Sequence, residues 1–247
     1  MAERQRVALV TGAARGIGYG IAERLARDGA RVVITDVLET VTDSAARLGA
    51  EGVVGDVSDE AWVLSLARRL EAEHGGVDVL VNNAGISPKR DNRKVPVRDT
   101  DWADWRRVMD INLGGAFLMC RALVPGMEAR GWGRVISISS QAARTRADIA
   151  GAAYAASKAG MVAFSRVLAS EVGKKGVTVN CIAPGRIESP MQAVAGEEAT
   201  REYITRIPVG RIGTGADIAA TVAFLASDEA GFITGATLDV NGGFFMG

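Results

Sequence analysis

The chain reads as a doubly wound α/β fold, one domain over residues 1–247 with a largely parallel, seven-stranded sheet and helices on both faces. Three observations predict this. Short apolar runs recur without polar interruption, as strands buried on both faces require. Segments with helical periodicity separate them, the alternation that winds a parallel sheet. The first run opens directly into a glycine-rich turn, Thr11-Gly-Ala-Ala-Arg-Gly-Ile-Gly18.

Val7-Ala-Leu-Val10 is the first strand. After the turn, Ile17, Ile21, Ala22 and Leu25 fall at helical spacing, and Gly29 supplies a stop. Arg31–Asp36 is a second strand ending in an acid, which completes a mononucleotide-binding strand–helix–strand unit. Gly52-Val-Val-Gly-Asp56 resembles a short third strand, again ending in an acid. A helix over 59–74 follows, then the strand Val77–Val81, which closes at Asn82-Asn-Ala-Gly85. Residues 86–100 are polar, basic and proline-bearing, and read as an exposed connection rather than a nucleic-acid tail, since two aspartates interrupt the basic residues. One long helical pattern covers Asp101–Arg130. Gly133–Ile138 is the fifth strand, followed by a helix over about 152–173. Its small residues Ala152, Ala156, Gly160 and Ala163 would let another helix approach closely. Val177–Ile182, a helix over 215–226 and the strand Ala236–Val240 complete the chain. Residues 186–212 show little strand pattern and are expected to form a substrate lid over the C-terminal edge of the sheet.

Composition excludes several functions. Basic and acidic residues balance at 29 each, so no nucleic-acid surface is expected. One histidine and two cysteines without ligand spacing argue against a zinc site or a Ser-His-Asp triad. His74 is expected to be a solvated loop residue, and Cys120 and Cys181 buried free thiols in a reducing compartment. No apolar run reaches the roughly 18 residues of a membrane span, and the charged N-terminus runs straight into a strand. A cytoplasmic protein without signal peptide or membrane contact is expected.

Two groups of residues carry chemistry. Glycines in the first turn let a pyrophosphate approach amides at a helix N-terminus, where the dipole favours negative charge. Asp36 lies where an acid accepts from a ribose 2′-hydroxyl; it would repel a 2′-phosphate, and Val37 offers that phosphate no cation. Arg15 pulls the other way, and NAD is expected over NADP. The second group is Tyr154-Ala-Ala-Ser-Lys158, in which a phenol and an ammonium stand one helical turn apart. The ammonium favours the phenolate; moving the phenol from about 10 to about 7 takes roughly 4 kcal/mol of preferential stabilisation. A tyrosine so tuned exchanges protons with an alcohol at neutral pH.

Five motifs in order resemble the classical short-chain dehydrogenase/reductase family from Val7 to Gly243: Thr11-Gly-x-x-x-Gly16-x-Gly18, Asn82-Asn-Ala-Gly85, the strand end at Ser140, Tyr154-x-x-x-Lys158, and Pro184-Gly185. The resemblance implies a Rossmann-type fold and gives each matching residue a role. Tyr154 is the acid/base, and Ser140 holds the substrate oxygen. Lys158 lowers the tyrosine pKa and binds the nicotinamide ribose, and Asn112 holds a water that relays protons. Gly12, Arg15, Gly16, Ile17 and Gly18 match the phosphate turn, while Asp56 and Val57 flank the adenine. Asn83, Ala84 and Gly85 form the wall beside it. Pro184, Gly185, Ile187 and Ser189 match the stretch that holds the carboxamide. Gln141, Arg186 and Met191 join Ser140 and Tyr154 around the substrate.

The expected reaction is reversible hydride transfer between NAD and a small secondary alcohol or ketone, with a homotetramer built partly on helices 101–130 and 152–173. Two alternatives stay open. One is a 3-oxoacyl-thioester reductase, acting on an acyl-carrier-protein or CoA substrate with NADPH, against which Asp36 argues. The other is a dinucleotide sensor without catalysis, against which the retained tyrosine and lysine argue.

Overall fold

The structure, a computed structural model, describes residues 5–91, 93–147, 149–188 and 197–247, the side chains of 197–200 excepted. Seven parallel strands lie in the order β3-β2-β1-β4-β5-β6-β7. They are β1 (Val7–Thr11), β2 (Arg31–Asp36), β3 (Glu51–Val54), β4 (Val79–Asn82), β5 (Gly133–Ile138), β6 (Val177–Pro184) and β7 (Thr237–Val240). Leu9 pairs with both Val33 and Leu80, so β1 is central and the strand order reverses between β1 and β4. In such sheets a crevice for ligands opens at that reversal, beyond the strands' C-terminal ends.

Successive strand residues face opposite sides, and each side has its own core. Ala8, Val10, Ile34, Val81 and Ile182 pack under α1 (Gly16–Arg27), α2 (Val41–Leu48) and α8 (Gly215–Ala226). Val7, Leu9, Val33, Leu80 and Val135 pack under α3 (Glu60–His74), α5 (Gly115–Arg130) and α6 (Ala152–Val172). Burial on both faces explains the uninterrupted apolar runs.

The structure corrects several expectations. The pattern over 101–130 is a helix broken in pitch: α4 (Trp102–Met109), a π-helical turn at Asp110–Gly114, then α5. By length and composition alone Trp102–Arg130 is apolar enough to cross a membrane, although charged residues interrupt its apolar runs. Its apolarity has another use here, because Met119, Cys120, Leu123, Val124 and Met127 form part of the core. β3 ends at Val54, so Asp56 follows the strand rather than closing it. α2 and α7 (Glu197–Thr205) were not foreseen. His74 is the last residue of α3 and not a solvated loop residue: its side chain is 10% exposed and Nε2 lies 2.9 Å from Glu51 Oε2. Both cysteines are buried and free, as expected.

Candidate active site

The glycine turn leaves the C-terminal end of β1 and enters α1. Gly12 and Gly16 take φ of +63°, the left-handed region that favours glycine. A side chain at Gly12 would meet Ala84 Cα at 2.7 Å, and one at Gly18 would meet Asn83 Nδ2 at 2.5 Å. The turn is therefore packed against the end of β4. Thr11 ties the two strand ends together: its Oγ1 accepts from Asn83 N at 3.1 Å and Ala84 N at 3.0 Å. Asn83 Nδ2 donates back to the Thr11 and Gly12 carbonyls at 2.9 and 2.8 Å. Thr11 was quoted in the motif without a role; its place one residue before the glycines was the available signal.

Asp36 sits at the end of β2, half-buried. Its carboxylate accepts from Ala14 N and Leu38 N, both at 3.1 Å, which fixes the charge beside the turn. Arg15, exposed, is the N-terminal boundary residue of α1, and no side chain caps that helix end. An uncapped helix N-terminus, a glycine cradle and an oriented acid at one edge fit the pyrophosphate and adenosine ribose of a dinucleotide. Ile17 stands in the first turn of α1. Asp56 is exposed and accepts from Ser58 N at 2.8 Å and Ser58 Oγ at 2.7 Å, while Val57 is buried against Gly115.

The second group lies across the reversal of strand order. Ser140 follows β5 and caps a short 3₁₀ turn, accepting from Ala142 N at 3.1 Å. Its hydroxyl also acts on the Tyr154 phenol, near the start of α6, drawing the phenol's pKa down. Lys158 is buried one turn later, with Nζ 5.8 Å from the Tyr154 ring centre and donating to Ile138 O at 2.7 Å. Asn112 is fully buried in the π-helical turn. It accepts from Ile86 N at 2.8 Å and donates to Ile86 O at 3.0 Å and Ser157 Oγ at 3.1 Å. Bulges of this kind re-aim side chains at functional sites. A side chain at Gly85 would meet Asn112 Oδ1 at 3.2 Å and Lys158 Nζ at 3.3 Å, so Asn112, Lys158 and the end of β4 converge.

The electrostatics differ from the expectation that Lys158 lowers the tyrosine pKa. Burial holds the Tyr154 phenol above its ordinary value, with the Ser140 hydroxyl pulling the other way. Burial also pulls the Lys158 ammonium down to about 8. The two side chains share a helix face, yet desolvation outweighs their attraction because Nζ is directed at a carbonyl and not at the phenol oxygen.

Of the remaining site residues, Pro184 closes β6. Gly185 packs on Asn241 and on the Gln141 carboxamide, whose Oε1 is buried without a hydrogen-bond partner. Ile187 is buried and bridges to Gly213, and the Arg186 guanidinium lies 5.1 Å from the Tyr203 ring centre. Ser189 and Met191 fall outside the described residues. At one edge of the sheet the site brings together the Ser140 and Tyr154 hydroxyls, the buried Lys158 ammonium and a glycine turn leading into an uncapped helix N-terminus.

Comparison with known proteins accords with this geometry. Residues 12–245 match a family described as Enoyl-(Acyl carrier protein) reductase. The 3-oxoacyl-[acyl-carrier-protein] reductase FabG of Escherichia coli K12 is 43% identical over 244 residues, 98% of each chain. The chain belongs to the short-chain dehydrogenase/reductase family. Among solved short-chain reductases, a 3-oxoacyl-[acyl-carrier protein] reductase from Brucella melitensis superposes with a TM-score of 0.92 at 38% identity, covering 99% of this chain and 92% of that one. A second from the same organism, with bound NAD, gives 0.90 at 37% identity over 100% of this chain and 93% of that one.

Proposed function

We propose that this protein is a 3-oxoacyl-thioester reductase that uses NAD(H) in preference to NADP(H). The observation that carries the reaction is the Tyr154 phenol with buried Lys158 one turn along α6 and the Ser140 hydroxyl acting on it, in a chain alike over its whole length to 3-oxoacyl reductases. The generic alcohol or ketone expected from sequence thereby narrows to the thioester alternative, while Asp36 keeps the cofactor expectation in place. Asp36 bears on the adenosine ribose and says nothing against an acyl thioester.

In this reading NAD(H) supplies the hydride when bound. Ser140 and Tyr154 direct their hydroxyls at the 3-keto oxygen, where negative charge develops. Tyr154, kept protonated by burial, delivers its proton to that oxygen in the reducing direction. Lys158 would reach the nicotinamide ribose and return the phenolate to the neutral form through it, and Asn112 would order the water that connects Lys158 to solvent. A pair aimed at an oxygen suits a carbonyl better than a carbon–carbon double bond. Gly12, Arg15, Gly16, Ile17 and Gly18 would hold the pyrophosphate, and Asp56, Val57, Asn83, Ala84 and Gly85 the adenine side. Pro184, Gly185 and Ile187 would face the carboxamide. Gln141 and Arg186 would wall the acyl group; the expected lid over 186–212 falls in part, at 189–196, outside the described residues.

A homotetramer in the cytoplasm belongs to the same reading. Exposed Phe117 on α5 and Val167 on α6 support helix-mediated assembly, which light scattering tests. The reaction itself is tested with acetoacetyl-N-acetylcysteamine, following NADH and NADPH oxidation alongside a panel of simple ketones. Faster reduction of the thioester with NADH is expected. Turnover of simple ketones but not the thioester would overturn the substrate assignment, and a preference for NADPH the cofactor assignment.

A further inference from the structure

A second concavity adjoins the site. A cavity of about 450 Å³ is lined by the cations Arg90, Arg93 and Lys94, the acids Asp91 and Asp99, and Val95. Val95 also lines a smaller cavity whose wall includes Tyr154, so the two share one residue.

The backbone of this loop brings like charges together. Arg90 and Arg93 exchange both main-chain hydrogen bonds, at 3.0 and 2.9 Å, as an isolated antiparallel bridge. Residues paired in that way present their side chains on one face, and like charges directly opposite destabilise the pair. Asp91 carries a φ of 50°, the one positive φ outside glycine among the described residues. Lys94 then donates Nζ to Ala147 O at 2.6 Å, which ties the hairpin to the loop that follows Ser140. The local acids compensate in part. Asp101 lies 3.8 Å from Arg90, and Asp99 is 3.6 Å from Arg98. Arg93 and Lys94 have no carboxylate at ion-pair distance among the described residues. Two arginines side by side with a lysine around an open concavity present the charge and donor geometry that an anion requires.

We infer that this cavity is an anion subsite, holding a phosphate or carboxylate carried at the far end of the substrate whose keto group lies at Tyr154. The inference rests on the proposed reaction for the position of that keto group. It adds a requirement the catalytic residues do not impose: the preferred substrate is anionic away from its reacting carbon. In a thioester substrate the anion would be a phosphate on the thiol arm; in a free dicarboxylic oxoacid it would be the distal carboxylate.

Calorimetric titration of the NADH-saturated protein with 4′-phosphopantetheine, pantetheine and glutarate tests this, on wild type and on Arg90→Ala/Arg93→Ala. The phosphorylated arm is expected to bind at least tenfold more tightly than pantetheine, and the double substitution to bring the two to parity. Arginine-dependent binding of glutarate alone would assign the subsite to a carboxylate. Equal affinity for charged and neutral arms with no arginine-dependent glutarate binding, or a preference that survives the double substitution, overturns the inference. NADH affinity of the variant reports that it is folded. Turnover of uncharged acetoacetyl-N-acetylcysteamine reads the proposed reaction separately. Its absence with the anion preference intact would sink the reaction and leave the subsite standing.

Discussion

Removing the charge of Asp36 should convert cofactor preference, and the size of the change follows from its position. Its carboxylate is fixed by Ala14 N and Leu38 N at 3.1 Å each, on the half-buried edge where an adenosine ribose would lie. Two unit charges about 4 Å apart repel by about 4 kcal/mol at an effective dielectric of 20 and by about 1 in bulk water. An intermediate value near 2 suits a half-buried edge, and a 2′-phosphate carries about 1.5 to 2 charges. Repulsion of roughly 3 kcal/mol, about 10²-fold, therefore separates NAD(H) from NADP(H). Asp36→Asn keeps the shape and one acceptor oxygen but removes the charge. An amide left without its partner costs about 1 kcal/mol or more, but it does so for both cofactors and cancels in their ratio. The ratio of kcat/KM for NADH over NADPH should fall by about 10², most of it as a gain for NADPH. Arg15→Ala in the same background should remove part of that gain, since Arg15 is an exposed cation at the start of α1 beside this edge. The assay is initial-rate kinetics with one ketone substrate and both cofactors. A wild type that prefers NADPH, or a ratio that moves less than about threefold, refutes the electrostatic reasoning.

Tyr154→Phe should bind NADH normally, read by fluorescence titration, and lose kcat by about 10²–10⁴; near-normal turnover would remove Tyr154 from the acid/base role. Asn112→Ala leaves Ile86 N and O without their partner, and urea unfolding should show a loss of about 2–4 kcal/mol together with a marked fall in kcat. Gly18→Ala would bring a methyl to 2.5 Å from Asn83 Nδ2 and Gly12 O and shift the turn, so NADH affinity should drop by about tenfold or more. Lys158 provides a pH test. Its folded pKa, about 8, lies below the unfolded value of 10.5, so the unfolded chain binds more protons between those limits. Burying the ammonium costs stability below about pH 8, and this cost fades as pH rises toward 10.5. Wild-type stability relative to Lys158→Met should thus rise by about 3 kcal/mol over that window in denaturant titrations; a flat difference would show that the lysine is not desolvated.

What the sequence disclosed and what it hid divide along a physical line. Glycine turns, strand cores and the Tyr154–Lys158 spacing are local, so periodicity and motif place them. The π-helical turn at Asp110–Gly114 is not local. It gives Asn112 its bonds to Ile86 and Ser157, partners 26 and 45 residues away that no helical pattern announces. His74 was misread for the same reason, because Glu51, 23 residues distant, captures its ring. α2 escaped because eight residues between turn signals are too few to show a period. The pKa direction of Tyr154 was misjudged because spacing identifies the ammonium nearby but says nothing of how far burial removes both groups from water.

The same distinction explains why chemistry is more legible here than substrate. Asp36 is fixed by Ala14 N and Leu38 N, Asn112 by Ile86, Lys158 by Ile138 O and Ser140 by Ala142 N. Each of these polar side chains is held by backbone at or just beyond a strand end. Their mutual geometry is therefore a property of the sheet and persists whatever the acyl group. The groups that would choose the acyl chain lie elsewhere: the Arg90–Lys94 hairpin, the loop after Ser140 tied to it through Lys94, and the segment from Arg186. They are held by isolated backbone bridges and single contacts between loops, which one or two substitutions can rearrange without disturbing a strand. Specificity in this chain is thus expected to change through charge and length in those loops, while the proton-handling groups stay where α6, the π-helical turn and the ends of β4 and β5 put them.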